Sequence, residues 1–205
     1  MARKTAPPPQ RVVAKRGGAV AVPREVRIIG GQWKRTKLGV PDKPGLRPSP
    51  DRVRETLFNW LGHDLGGWRC IDAFAGTGAL GLEAASRGAS DVLLVEQDSD
   101  LVDRLRATKA RLGADKVKVE RANGLSVLAR VAPASTDLIL LDPPFEANLY
   151  DKALAAAAPA LAADGLIYLE APTAWDDAAL AGYGLLRLRY LKAGAVHAHL
   201  LGRAA

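Results

Sequence analysis

Cysteine is almost absent: Cys70 is the only one in 205 residues. One thiol cannot close an internal disulfide, so no disulfide framework holds this chain. Cys70 lies in the apolar-rich segment Arg69-Cys70-Ile71-Asp72-Ala73-Phe74, where a buried, inert thiol is expected rather than a nucleophile. No apolar run approaches 18 residues, so no membrane span or membrane partner is expected. The start, Met1 to Pro9, is basic but has no apolar core, which argues against a secretory signal. Histidine is scarce, and no Cys/Asp/Glu set completes a metal site around His63, His197 or His199, so no metal is expected. These absences fit a cytoplasmic protein. Acid is also scarce at one end. Residues 1–48 hold 2 Asp/Glu against 12 Lys/Arg, while the other 157 hold 20 against 17. The net charge of +7 therefore belongs to the first quarter, as in a polyanion-binding appendage on a near-neutral body.

The length suits one compact domain plus an appendage. Residues 1–23, rich in Pro, Ala, Arg and Lys, read as a disordered basic arm. Val26-Arg27-Ile28-Ile29, the turn signal Gly30-Gly31 and Gln32 to Leu38 read as a β-hairpin. A Pro/Gly linker completes an appendage over 24–48. The hairpin carries Arg27, Lys34, Arg35 and Lys37 around Trp33, a mixture of cations and a stacking ring that suits RNA. Arg47 and Arg52 extend this basic set toward the body, with Arg47 and Ser49 expected to border the pocket or contact phosphate. From 49 to 205 a second unit is expected. Ser49 is placed as a helix cap, Pro50 in the first helical position and Asp51 in the first turn. Val53, Leu57, Trp60 and Leu61 then share one face, with Arg52, Arg54 and Glu55 off it.

From Trp68 strands and helices alternate. Strands are predicted at 69–74, 91–96, 117–122, 138–141 and 166–170, with helices between them. The helix carrying Leu154, Ala157, Ala158 and Leu161 is expected to end at Gly165. Residues 185–190 and 195–200 are separated only by a short turn and read as an antiparallel pair. The predicted fold class is α/β: a seven-stranded, mostly parallel sheet with an antiparallel terminal hairpin, plus the basic N-terminal β-hairpin.

Two stretches carry chemistry. Asp72-Ala73-Phe74-Ala75-Gly76-Thr77-Gly78-Ala79-Leu80-Gly81 joins a strand to a helix and contains GxGxxG, with Glu96 at the end of the next strand. Such glycines let a ligand approach the backbone, and such an acid accepts from ribose hydroxyls. Asp72 before the glycines would repel a pyrophosphate but suits the ammonium of a methionine moiety. Asn123-Gly124 offers an amide and a backbone N–H at the third strand's end, and is also a turn signal. The second stretch is Leu138-Ile139-Leu140-Leu141-Asp142-Pro143-Pro144-Phe145. Asp142 ends a buried strand, two prolines hold the next carbonyls rigidly, and Phe145 adds a flat apolar face. Together they form a cradle for a planar group bearing an NH2.

Asp72-x-Phe74-x-Gly76-x-Gly78, Glu96 and Asp142-Pro143-Pro144-Phe145 resemble the motifs of class I methyltransferases that act on exocyclic amines. The chain is more specifically similar to the bacterial 16S ribosomal RNA guanine-N2 methyltransferase family, the RsmD type. The residues that carry this are Arg27-Ile28-Ile29-Gly30-Gly31, then Leu46-Arg47-Pro48-Ser49-Pro50-Asp51-Arg52-Val53-Arg54-Glu55-Thr56-Leu57-Phe58-Asn59-Trp60-Leu61, then the two motifs. The resemblance implies a Rossmann-like fold and S-adenosyl-L-methionine held by Asp72, Phe74, Gly76, Thr77, Gly78, Glu96, Gln97, Asn123, Gly124 and Asp142. It implies catalysis at Asp142, Pro143, Pro144 and Phe145. It also implies a monomer acting on 16S ribosomal RNA within a small-subunit particle. Position 123 is Asn where many methyltransferases place Asp, and residues 1–23 lie outside the pattern. The motifs alone leave an adenine-N6 methyltransferase, an NAD-dependent oxidoreductase and a non-catalytic RNA-binding module as alternatives.

Overall fold

The computed structural model describes residues 25–144 and 149–204. A two-stranded ribbon, β1 (Glu25–Arg27) and β2 (Lys37–Gly39), leads into α1 (Asp51–Leu61). The body follows as β3 (Arg69–Asp72), α2 (Ala79–Ser86), β4 (Asp91–Glu96), α3 (Ser99–Leu112), β5 (Val117–Arg121), α4 (Gly124–Leu128) and β6 (Thr136–Leu141). It closes with α5 (Tyr150–Ala160), β7 (Leu161–Ala171), α6 (Asp177–Ala181), β8 (Leu185–Ala193) and β9 (Val196–Arg203). The sheet order is β5-β4-β3-β6-β7-β9-β8. All pairs are parallel except β7–β9 and β8–β9. The chain winds outward from β3 to β5, then restarts on β3's other side with β6. The carboxyl ends of β3 and β6 therefore flank the point where strand order reverses, which is where open α/β sheets bind ligands.

Leu138 to Leu141 are completely buried because both faces of β6 are covered. Even-numbered β6 residues join α1, α2 and the ribbon in one apolar cluster. Odd-numbered ones join α4, α5 and α6 in the other. Cys70 is buried within the first cluster; loss of solvent pushes its thiol up to about 12.

Several sequence expectations change. The hairpin strands are three residues each, and Gln32 to Thr36 is not strand. The segment pairs instead with α2. Glu83, buried inside the protein, accepts from the Ile29 and Gly30 amides at 2.6 and 2.8 Å. Ser86 takes the Gln32 and Trp33 amides at 2.7 and 2.9 Å. Ile28 still exchanges hydrogen bonds with Thr36 and Arg35 at 2.9 and 2.8 Å, and beyond it the buried carboxylate takes over by satisfying two amides at once. The ribbon's Val26, Ile28 and Leu38 share the core of the sheet's first face, so a boundary at residue 48 runs through continuous packing. This also explains α2, which is buried all round: sheet covers one side and ribbon the other.

Ser49 is not a cap. Pro50 occupies the N-cap position of α1, with no side-chain cap bond. Arg54, placed off the apolar face, is fully buried together with Phe58. α5 stops at Ala160, and Leu161 already begins β7. Gly165 lies inside β7, where a Cβ would sit 2.8 Å from Leu161 Cδ1 and 2.9 Å from the Thr136 carbonyl oxygen. It serves a close approach at the β6–β7 register shift rather than ending the helix. The helix α6 was not foreseen.

Candidate active site

The glycine loop between β3 and α2 divides its glycines by task. Gly76 and Gly78 have φ of +53° and +79°, a turn that side-chain-bearing residues rarely adopt. Gly81 lets the helix meet the sheet: a Cβ there would lie 2.2 Å from Leu94 Cδ2. The Gly81 amide donates to Asp72 Oδ2 at 2.9 Å. Asp72 Oδ1 is buried and has no partner among the described residues. Burial raises this carboxyl to about 7, with Glu96 adding repulsion and the Gly81 and Phe74 amides opposing the rise.

Glu96, at the end of β4, accepts from the Gly76 amide at 2.9 Å and from the Gln97 and Asp98 amides at 2.8 and 2.9 Å. Its carboxylate shapes the loop and stays half-buried at the mouth. Phe74 and Thr77 are also half-buried, and Gln97 is exposed. The linker crosses here. Lys43 Nζ grips Asp98 at 2.6 and 2.7 Å and Asp100 at 3.0 Å, and Leu46 lies against Gly76.

Asp142 stands across the switch point, half-buried, with Pro143 buried and Pro144 exposed. Phe145 lies outside the described residues. Ser49, buried, brings Oγ to 3.4 Å from Asp142 Oδ2. Beside Asp142 on β7 lies Glu170, only 2% exposed; the Tyr168 hydroxyl donates to it at 2.7 Å. Loss of solvent, then the Glu170 and Asp72 carboxylates, hold Asp142 well above the usual carboxylate range. The Tyr150 hydroxyl is the second buried, unpartnered polar atom among the described residues. Burial and then the Asp142 charge push it up to about 12. Two orphaned polar atoms flanking one acid mark the place where a ligand is missing its contacts.

Arg54, Tyr150 and Glu170 were not foreseen in the site, whereas Ser49 was placed at its border. Glu170 had a signal: an acid closing the otherwise apolar run Leu166-Ile167-Tyr168-Leu169 is costly to bury without a task. Arg54 had none, because it arrives from another part of the chain.

Asn123 and Gly124 take structural work. Asn123 caps α4, its side-chain oxygen accepting from the Ser126 amide at 3.2 Å. Gly124 is buried, and a Cβ there would lie 2.1 Å from the Ala73 carbonyl oxygen. Both residues thus carry the turn that starts α4.

The basic residues separate into two places. Arg47 and Arg52 are exposed on either side of Ser49, beside the acids. Arg27 is exposed, and its carbonyl accepts from Arg54 at 2.8 Å. Trp33, Lys34 and Arg35 sit by Ser86, the last residue of α2, about 12 Å of helix from the glycine loop. Trp33 is half-buried against the core, while Lys34 and Arg35 are exposed. Lys37 is exposed and paired with Glu25 at 2.8 Å. His199 is buried and accepts from the Trp175 amide at 3.0 Å; His197 meets the Tyr190 hydroxyl at 2.7 Å. Two shallow clefts, one lined by Arg69, Asp91 and Thr136 and one by Trp68 and Asp137, lie at the amino ends of the strands, opposite the acids.

The residues fit S-adenosylmethionine. Among the described residues Asp72 Oδ1 has an unused acceptor position that suits an ammonium, and Glu96 offers a half-buried carboxylate at the end of the next strand that suits hydroxyl groups.

A family model described as Conserved hypothetical protein 95 matches residues 26–201. The chain is 45% identical over 148 residues to the ribosomal RNA small subunit methyltransferase D of Escherichia coli strain K12, covering 71% of this chain and 74% of that one. A solved structure, a putative methyltransferase from Escherichia coli, superposes with a TM-score of 0.74 at 37% identity, over 88% of this chain and 99% of that one. A putative methylase from Haemophilus influenzae gives 0.71 at 31% identity, over 88% and 99%.

Proposed function

The chain belongs to the family described as Conserved hypothetical protein 95 and is of the RsmD type, and on that premise we propose that it methylates the exocyclic N2 amine of a guanine in 16S ribosomal RNA. The methyl donor is S-adenosylmethionine, and the substrate is the RNA within a small-subunit particle. The observation that carries this reading is the register of β3 with β6. It sets Asp72 beside Leu140, so the glycine loop and the Asp142-Pro143-Pro144 turn face each other across one crevice.

Bound cofactor supplies an electrophilic methyl on a sulfonium. Every other requirement falls on the chain. The guanine amine is a poor nucleophile, because its lone pair is delocalised into the ring. Asp142 and the Pro143 carbonyl accept from its two N–H groups. Those bonds strengthen as the nitrogen becomes positive, which favours the transition state over the ground state. Losing one such contact typically costs about 3 kcal/mol. Phe145 is assigned to stack on the base and aim the amine, a contribution through orientation. Asp72 takes the cofactor's ammonium, Glu96 its ribose. Arg47 and Arg52, flanking Ser49, meet RNA phosphates, which position without specifying sequence.

The test is a labelled-methyl assay on naked ribosomal RNA and on small subunits, both from a strain lacking this protein, with nucleoside analysis of the product. N2-methylguanosine is expected. N6-methyladenosine in its place would overturn the base assignment. Asp142→Asn should lower turnover roughly 100-fold or more while S-adenosylhomocysteine still binds. Stabilisation by NADH and none by S-adenosylhomocysteine would sink methyl transfer altogether.

A further inference from the structure

Three carboxyl groups gather at the carboxyl ends of three neighbouring strands. Asp72 closes β3, Asp142 follows β6 and Glu170 is the penultimate residue of β7. Leu141 is paired with Leu169, so Asp142 and Glu170 stand side by side on strands about 4.8 Å apart. The groups that face Asp142 come from every element around it: Glu170 and Tyr168 from β7, Asp72 from β3, Tyr150 from α5 and Ser49 from the segment before α1.

Among the described residues one buried cation, Arg54, serves this cluster, and it is already committed. Arg54 donates to the Arg27 carbonyl at 2.8 Å, to Asp51 at 2.6 Å and to the Ser49 carbonyl at 3.4 Å. Burial raises Glu170 as well, opposed first by the hydroxyls of Ser49 and Tyr168 and then by the Arg54 charge; of the two acids only Glu170 has a short donor, the Tyr168 hydroxyl at 2.7 Å. Asp142 has only the long 3.4 Å contact with Ser49. The shorter Tyr168 bond favours the anion on Glu170, and Asp142, with the weaker donor, is the member that holds a proton more readily. That is the wrong state for gripping an amine, since a protonated acid has lost acceptor capacity.

A cation entering the crevice reverses this. An opposite charge within about 4–6 Å lowers a carboxyl by roughly 1–3 pKa units. We propose that Glu170, with Asp72, makes Asp142 a charge-gated acceptor. Asp142 gives up its proton when the cofactor's sulfonium is in the site, and takes one back from the methylated amine once the sulfur is neutral. This rests on the methyl-transfer reading above. The step balances: the amine's lone pair forms the N–CH3 bond, and the pair of the broken S–CH3 bond stays on sulfur. The surplus N–H proton passes to the Asp142 carboxylate and leaves to solvent when the next sulfonium enters. Glu170 touches neither reactant. It is a positioning residue whose charge sets when Asp142 can accept.

Calorimetric titration at pH 7 in buffers of different ionisation enthalpy counts the protons released on binding. S-adenosylhomocysteine has the ammonium but no sulfonium, so any response of Asp72 to the ammonium is common to both ligands. S-adenosylmethionine should release roughly half to one proton more than S-adenosylhomocysteine. The excess should vanish in Asp142→Asn, which has nothing to titrate, and shrink in Glu170→Gln, where Asp142 has lost one of the charges that help it keep its proton. Equal release in the parent, or an excess that survives Asp142→Asn, overturns the gate and leaves methyl transfer standing. Binding of neither ligand overturns both. If Glu170→Gln does not fold, the half-buried Asp142→Asn still decides the question. In a folded Glu170→Gln protein the acid limb of kcat/KM should move to lower pH; a limb that stays in place overturns the role of Glu170.

Discussion

Asp72 is buried with one oxygen bonded and the other unpaired, and its carboxyl ionises near pH 7. An acid raised on folding binds its proton more tightly in the native state than in the unfolded one. Native stability therefore falls as pH rises from about 4 to about 7, and above that window the charged group costs up to about 4 kcal/mol. Asp72→Asn keeps an acceptor for the Gly81 amide and removes the charge. It should raise the melting temperature of the ligand-free protein at pH 8, with the gain fading toward pH 4, while cofactor affinity drops. An equal gain at both pH values would show that the buried charge is not the cause. On the proposed reading the same position shows why site residues are stability liabilities: an oxygen unpartnered among the described residues gains its partner from the ligand.

At the scale of elements, the ribbon is held by a charge buried for that purpose. Glu83 binds two ribbon amides and the Arg87 guanidinium, the last at 2.8 Å. Glu83→Ala strands a buried Arg87 and two amides, so denaturant melts should show a loss of about 3–5 kcal/mol. Amide exchange at Ile29 and Gly30 should accelerate beyond the average of the core. Uniform acceleration would mean that Glu83 supports the whole fold and not the ribbon. The start of α4 is constrained by contact rather than charge. Gly124→Ala pushes a methyl into the Ala73 carbonyl, which belongs to the end of β3. Both melting temperature and cofactor affinity should fall together, because the same loop carries both.

For the whole molecule, the distribution of charge sets how the protein meets RNA. Residues 1–24 hold six Lys/Arg and no acid. Removing them should weaken RNA binding and flatten its dependence on salt by several units of slope, since each phosphate neutralised contributes nearly one. Binding that is unchanged from low to high salt would refute a role for this segment. The cut belongs before Glu25. Val26, Ile28 and Leu38 lie in the core, so a deletion reaching residue 38 would report unfolding rather than lost contacts.

Much of this was legible without coordinates. The seven-stranded order of events, the glycine loop, Glu96 and Asp142 rest on local signals: apolar runs, turn glycines, a Pro-Pro stop. Such signals are written in neighbouring residues, so the sequence by itself determined the α/β class and the two halves of the crevice. Tertiary structure alone decided what meets what. Ser49 reads as a helix cap until the loop before α1 lands on Asp142. Arg54 reads as solvated until the ribbon covers it, and Glu170 is one more strand residue until β7 sets it beside β6. Burial and proton affinity depend on partners distant in the chain, and a linear pattern carries no record of them.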